Sequence, residues 1–220
     1  MTRRASGRGL AVIWSSDSKL AETVVTALQV SGFSAVVPGA RSARRLCSRA
    51  SLIVLDARDE AYAPQPCRSG AKVLRLPPAP VVASVLRVLS FVSSTEVLIG
   101  IDPGEALTGY AVLSNSALVY GAVYSLPPRV LAERTCLAAA AYDRGQVLVG
   151  IGASSAVRST ALELAARISS CGVPVVLVDE SGSNSEHVRG LWGLEGIVNS
   201  HIRAAAVIAL RAQMRDAILG

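Results

Sequence analysis

The chain has 220 residues, of which 51% are hydrophobic and 17% charged, a composition typical of a folded globular protein rather than a disordered one. It contains no uninterrupted run of about 18 apolar residues, so no membrane span is expected. The basic start precedes an apolar stretch that is too short for a signal peptide. Asp17 and Lys19 follow directly, so a cytoplasmic location is expected.

The net charge of +6 is distributed unevenly. Residues 1–95 contain thirteen Lys and Arg against five Asp and Glu, whereas residues 96–220 contain nine against eleven. Two interpretations stay open: the basic half attracts polyanions, or its arginines only keep an apolar domain soluble. Under the first, one face of a short predicted helix would bind nucleic acid through Arg41, Arg44, Arg45 and Arg49.

Residues 1–94 alternate between apolar strands and helices. We expect strands at 9–15, 33–38, 51–57 and 72–77, helices at 18–31, 42–50 and 80–92, and a Pro/Gly/Ser-rich loop at 59–71. Such alternation predicts a parallel sheet. The expected first domain, residues 1–94, is therefore a small basic doubly wound α/β domain, which resembles a receiver or flavodoxin-like domain.

Asp56 ends the third predicted strand, where a receiver keeps its phosphoacceptor. The acidic pair expected after the first strand is replaced by Ser15-Ser16-Asp17, so we interpret Asp56 as a turn residue.

The four cysteines, at positions 47, 67, 136 and 171, form no CxxC pair, and a zinc site is not expected. We expect buried thiols. A Cys47–Cys67 disulfide is conceivable only in a protein from a hyperthermophile.

A Ser/Thr-rich boundary near residue 94 separates a second predicted domain, residues 95–220. Strands at 97–102, 108–114 and 118–125 have short connections and suggest an antiparallel meander. The remaining predicted elements are a helix at 127–142, a strand at 146–152, a helix from 154 or 155 to 170, a strand at 173–180, a polar loop at 181–200 and a helix at 201–219. This order predicts a mixed sheet.

Asp102 lies at the end of the first of these strands, in the sequence GIDPG. A carboxylate at the rim of a buried sheet is costly without a cation or a hydrogen-bond donor, which points to metal or phosphate chemistry. Asp-Pro-Gly is also a strong turn signal by itself, and both interpretations stay open here.

The second domain resembles the RuvC and YqgF members of the RNase H-like superfamily over about residues 96–215. The segment GIDPGEALTGYAVL resembles the first strand and turn of RuvC-type Holliday-junction resolvases, VPVVLVDE resembles YqgF, and HIRAAAVIAL resembles their last helix. The resemblance implies an RNase H-like fold in which Asp102 bridges two Mg²⁺ or Mn²⁺ ions and Glu180 is the second carboxylate ligand. Asp179 would point to the other face of its strand.

The final helix departs from the family pattern. The family has an acid three residues after the position of His201, and this chain has Ala204. Glu195 and Glu186, in the preceding loop, are weaker substitutes for that acid. Arg189, Trp192 and Arg203 are candidate nucleic-acid contacts. For Trp192 a loop anchor is an equally simple interpretation, and a solvated helix start is the simpler one for His201 and Arg203.

The sequence leaves three alternative functions open. The first is a metal-dependent nuclease acting on junction DNA or structured RNA, weakened by the missing third carboxylate. The second is a catalytically degenerate RNase H-like module that binds nucleic acid or a protein. The third, ATP binding as in the sugar-kinase, Hsp70 and actin group, is disfavoured because the chain is too short for two such domains. A homodimer stays open.

Overall fold

The computed structural model describes residues 8–39, 41–62, 70–93, 95–179 and 197–219. The chain divides into two compact units, residues 1–94 and 95–220. Within the described residues, no helix is both long and apolar enough to cross a membrane.

The first unit contains a four-stranded parallel sheet with the strand order β2-β1-β3-β4. Its strands are β1 (Leu10–Trp14), β2 (Ser34–Val36), β3 (Leu52–Asp56) and β4 (Lys72–Leu76). Its α-helices are α1 (Ser18–Val30), α2 (Ala43–Cys47) and α3 (Val81–Val92). A 3₁₀ helix over Ala57–Tyr62 stands where the start of a loop was predicted.

Helices cover both faces of this sheet. Val12 and Ile53 pack with Cys47 of α2 on one face, and α1 and α3 pack against each other as a second layer. α1 begins where predicted because the Asp17 side chain accepts a hydrogen bond from the Leu20 amide at 3.0 Å. The predicted doubly wound parallel α/β fold is confirmed for this unit.

The second unit contains a five-stranded mixed sheet with the strand order β7-β6-β5-β8-β9. Only β6 runs against the other strands. The strands are β5 (Val97–Pro103), β6 (Thr108–Ser114), β7 (Ala117–Tyr124), β8 (Val147–Gly152) and β9 (Val175–Val178). The helices are α4 (Pro128–Ala140), α5 (Arg158–Ser169) and α6 (Ser200–Leu219). This order and these directions are those of the RNase H-like fold, and the predicted fold class is confirmed.

β9 is shorter than the predicted strand, which ran from 173 to 180. Pro174 has no amide hydrogen to donate, although its carbonyl still accepts from Val149 at 3.0 Å. The strand ends at Val178, and Asp179 follows it as an exposed residue.

α6 lies directly on the backbone of the sheet along a row of small residues. Gly121, Ala111, Gly100 and Gly150 stand side by side in register on β7, β6, β5 and β8. A Cβ atom added at Gly100 would lie 1.8 Å from the Ala205 carbonyl oxygen, and one added at Gly150 would lie 2.8 Å from the Ala212 Cβ. The helix can approach this closely only because Gly100, Gly121 and Gly150 have no side chains and Ala111 has only a methyl group.

A disulfide joins Cys136 on α4 to Cys171, which follows α5. The expectation of buried thiols was therefore wrong for this pair, whereas Cys47 is buried as expected. The sequence could not show the pairing because 35 positions separate the two cysteines, and only the packing of α4 against α5 brings them together. Cys67, the other half of the conceivable Cys47–Cys67 bridge, lies outside the described residues.

We predict that Gly100→Ala destabilises the second unit by about 3 kcal/mol, because the new methyl group must push the backbone of α6 away from the sheet. Gly39→Ala is the matched control, since a Cβ at Gly39 meets nothing within 4 Å. It should change the unfolding free energy by less than about 0.5 kcal/mol. Urea unfolding followed by circular dichroism measures both, and equal effects would contradict the close seating of α6.

Candidate functional site

Asp102 lies on the central strand of the second unit, at the end of that strand. Side chains alternate along β5, so Asp102 shares the α6 face with Gly100 and Leu98. Its neighbour on β6 is Gly109, where an added Cβ would lie 2.2 Å from the His201 carbonyl oxygen. The carboxylate is therefore overhung by the first turn of α6, and only 18% of its side chain is exposed.

The start of α6 is fixed by its own cap. The Asn199 side-chain oxygen accepts hydrogen bonds from the amides of His201 at 3.0 Å and Ile202 at 3.2 Å. This cap holds the His201 imidazole near the sheet, with its Nδ1 3.9 Å from the Asp102 Oδ2. The sequence predicted a solvated helix start for His201, and 41% of its side chain is indeed exposed. The approach of its imidazole to Asp102 was not predicted.

Burial and the imidazole act in opposite directions on Asp102. Burial raises the pKa of the Asp102 carboxyl above its ordinary value because it penalises the charged form. The nearby His201 lowers the same pKa, but the effect of burial is larger. A carboxylate kept in a desolvated place is a group that a cation would stabilise.

The described donor atoms do not by themselves fit two metal ions. Among the described residues no group of three His, Cys, Asp or Glu side chains could hold a metal, and beside Asp102 they offer the imidazole of His201. Ala204, one turn further along α6, supplies no ligand atom. A pair of bridged magnesium ions needs more carboxylate oxygens than this.

Arg203 is exposed, and its guanidinium donates to the Ile197 carbonyl, in the segment just before α6. This contact ties the first turn of the helix to the preceding chain.

The other predicted ligand, Glu180, lies outside the described residues. β9 runs parallel to β8, and β8 runs parallel to β5, so the end of β9 reaches the same edge of the sheet as Asp102. Two strand spacings amount to roughly 10 Å. A meeting of Asp102 and Glu180 stays a prediction. Arg189 and Trp192, together with the weaker candidates Glu186 and Glu195, also lie outside the described part of the chain.

Asp56 ends β3 in the first unit and is 2% exposed. Its carboxylate accepts from the Arg58 side chain and amide and from the Ser15 hydroxyl at 3.0 Å. The bonds from Arg58 lower the pKa of Asp56 despite its burial. Asp17 lies 3.4 Å from the same guanidinium. Arg58 thus satisfies the Asp56 carboxylate. The hydrogen bond from the Arg58 backbone amide, two residues further along, makes Asp56 the turn residue that the sequence predicted.

The four arginines of the predicted basic surface, Arg41, Arg44, Arg45 and Arg49, are all exposed. α2 spans only Ala43–Cys47, so two of the four flank the helix. Among the described residues, none of the four forms an ion pair. Within the part of the chain that the structure describes, these side chains, called the α2 arginines below, therefore carry positive charge without an acidic partner.

Comparisons with known proteins give similarity at the level of fold. The chain matches no protein-family model, and it matches no curated protein. The structure of Thermus thermophilus RuvC aligns with this chain at a TM-score of 0.42 and 21% sequence identity, and the alignment covers 56% of this chain and 96% of that one. The structure of T. thermophilus RuvC with a Holliday junction substrate has a TM-score of 0.41 and 20% identity, with the same coverages. Similarity this low assigns no activity and no residue role.

We predict that Asp102→Asn makes the protein more stable than wild type at pH 7 and equally stable near pH 3. Because burial raises the folded-state pKa of Asp102, wild type loses stability as pH rises from the ordinary value of 3.8 through the raised one, and Asn removes that loss. Glu105 is an exposed acid in the following turn, so Glu105→Gln is the control. Its stability relative to wild type should not change in this way between pH 3 and pH 7. Thermal unfolding at several pH values gives the answer. A less stable Asn variant at pH 7 would mean that the contact with His201 outweighs burial.

Proposed function

We propose that the protein binds structured nucleic acid, such as junction DNA or folded RNA, through a catalytically degenerate RNase H-like unit assisted by a basic first unit. One observation carries this proposal. Asp102 is retained at the strand end with the His201 imidazole 3.9 Å away, whereas Ala204 stands on α6 where the family that the sequence resembles has a third acid. The described residues contain no group of three His, Cys, Asp or Glu side chains that could hold a metal. A site without the third acid keeps the position where a phosphate backbone would pass but has fewer ligands for metal-assisted cleavage.

The charge distribution supports a polyanionic partner. The α2 arginines are exposed and form no ion pair with any residue in the described ranges, whereas Arg75, Arg129 and Arg167 are each paired with a glutamate. Unpaired arginines gain from contact with phosphate oxygens without first breaking an ion pair.

A second candidate function is metal-dependent cleavage by Asp102 and Glu180. It is favoured by the parallel arrangement of β5, β8 and β9, which brings the end of β9 to the edge where Asp102 lies. A bound divalent ion would polarise the phosphodiester and lower the pKa of its water. Asp102 would hold such an ion, and α6 would exclude water from one side of the carboxylate.

The cytoplasmic location and the homodimer remain proposals. A cytosolic protein with a disulfide such as Cys136–Cys171 is typical of hyperthermophiles, because other cytosols keep thiols reduced.

We predict that replacing the α2 arginines by alanine weakens binding to duplex, junction DNA and folded RNA. If all four contact phosphates, the slope of log affinity against log salt should become shallower by about 3 to 4. Fluorescence anisotropy at several salt concentrations measures the slope. The control variant replaces the paired Arg75, Arg129 and Arg167, which should change the slope much less per charge removed.

An unchanged slope in the α2 variant would make these arginines a solubility feature only. Absence of binding by wild type to all three nucleic acids would overturn the proposed function.

We predict that cleavage of labelled junction DNA and precursor-like RNA by wild type is weak or absent and prefers Mn²⁺ over Mg²⁺. Mn²⁺ accepts mixed nitrogen and oxygen ligands, whereas Mg²⁺ demands near-octahedral oxygen ligands. Ala204→Asp should increase any cleavage, since residue 204 lies one helical turn from His201 and gains a carboxylate. Asp102→Asn should abolish it.

The two candidate functions separate in that assay. Strong Mg²⁺-dependent cleavage lost in Asp102→Asn would favour the nuclease, and cleavage unaffected by Asp102→Asn would place an active site elsewhere. Binding without cleavage by wild type would favour the degenerate module.

A further inference from the structure

The Cys136–Cys171 disulfide lies in a groove of about 990 Å³ on the second unit. The groove is formed by residues along the length of α4, by Arg167 near the end of α5, and by the chain that leads into β8 and into β9, and both cysteines line it. The bond therefore joins the two helices at a place that a small molecule can enter.

The two sulfur-bearing residues differ in access. Cys171 is exposed, whereas Cys136 is half-buried on α4. A thiolate attacks a disulfide along the line of the two sulfurs, so the accessible sulfur is attacked and the sheltered one leaves. In this groove the attacked atom is the Cys171 Sγ.

The charge of the groove favours an anionic ligand. Among the lining residues, Arg129 is ion-paired with Glu133 at 3.0 Å, so their charges cancel. Arg167 is paired at 2.8 Å with Glu163, which does not line the groove, so the lining carries one excess positive charge, at Arg167. Arg167 lies one helical turn before Cys171. Positive groups beside a disulfide attract a thiolate and stabilise the thiolate that leaves.

We propose that the groove is a thiol-exchange site in which a low-molecular-weight thiol carrying carboxylates modifies Cys171. The thiolate sulfur forms a bond to the Cys171 Sγ, the bond between Cys171 and Cys136 breaks, and its electron pair leaves on the Cys136 sulfur. A second thiolate then attacks the external sulfur of the mixed disulfide. It releases the Cys171 thiolate and an oxidised thiol dimer, so two thiols are oxidised for each disulfide reduced.

Exchange at this site would act on the α4–α5 layer alone. The bond links α4 to the chain following α5, while α6 packs on the other face of the sheet against Gly100, Gly150 and their neighbours. Reduction therefore removes a crosslink between two helices without removing a contact of α6. The proposal does not depend on the proposed nucleic-acid function.

The test treats the native 220-residue protein with reduced glutathione and identifies adducts by intact mass and peptide mapping. A mixed disulfide on Cys171 is expected, and buried Cys47 should stay unmodified. With oxidised glutathione, Cys136→Ser should form the adduct on Cys171 about tenfold faster than Cys171→Ser forms one on Cys136.

A charge control uses Arg167→Gln in the Cys136→Ser background. Slower adduct formation with oxidised glutathione, and an unchanged rate with the uncharged disulfide of 2-mercaptoethanol, would support an anion-selecting groove. Equal loss with both disulfides, an adduct found mainly on Cys136, or modification only after denaturation would overturn the proposal. Hydrogen exchange on the reduced wild type should rise in α4 and α5 and stay unchanged in α6. A general rise would also overturn it.

Discussion

The close packing of α6 on the row of small residues formed by Gly121, Ala111, Gly100 and Gly150 is the constraint on which the fold of the second unit depends. The backbone of the helix approaches Gly100 and Gly109 so closely that a Cβ on either would overlap a carbonyl of the helix. The small residues of α6, Ala205 and Ala209 among them, are buried in the same core. Helix and sheet therefore have little freedom to slide, since a shift of one residue would bring larger side chains onto this row.

The same seating creates the candidate site. β5 and α6 run in opposite directions, so the end of the strand meets the beginning of the helix, and Asp102 meets His201 there. The Asn199 cap fixes where the helix begins. A desolvated carboxylate at the tip of a central strand costs stability, and proteins keep such groups mainly where a ligand repays the cost. The described residues supply an imidazole as the nearest compensation.

The two units deal with their strand-end carboxylates in different ways. In the first, Arg58 surrounds Asp56 with hydrogen bonds, so that carboxylate is fully satisfied by its own chain. In the second, the imidazole at 3.9 Å leaves Asp102 with a weaker partner. The two units therefore differ in the charges that a ligand could contact: the α2 arginines in the first unit and Asp102 in the second.

The sequence by itself determined the elements, the two sheets and the position of Asp102, because hydrophobic periodicity and capping residues such as Asp17 act over a few residues. The segments VLIGI and VLVGI show glycines within apolar strands, but not that Gly100 and Gly150 stand side by side under a helix. That alignment, the Asp102–His201 approach and the Cys136–Cys171 bridge were decided by the tertiary structure alone. Each joins residues far apart in the chain, and their meeting depends on strand register and helix packing, which no local pattern encodes.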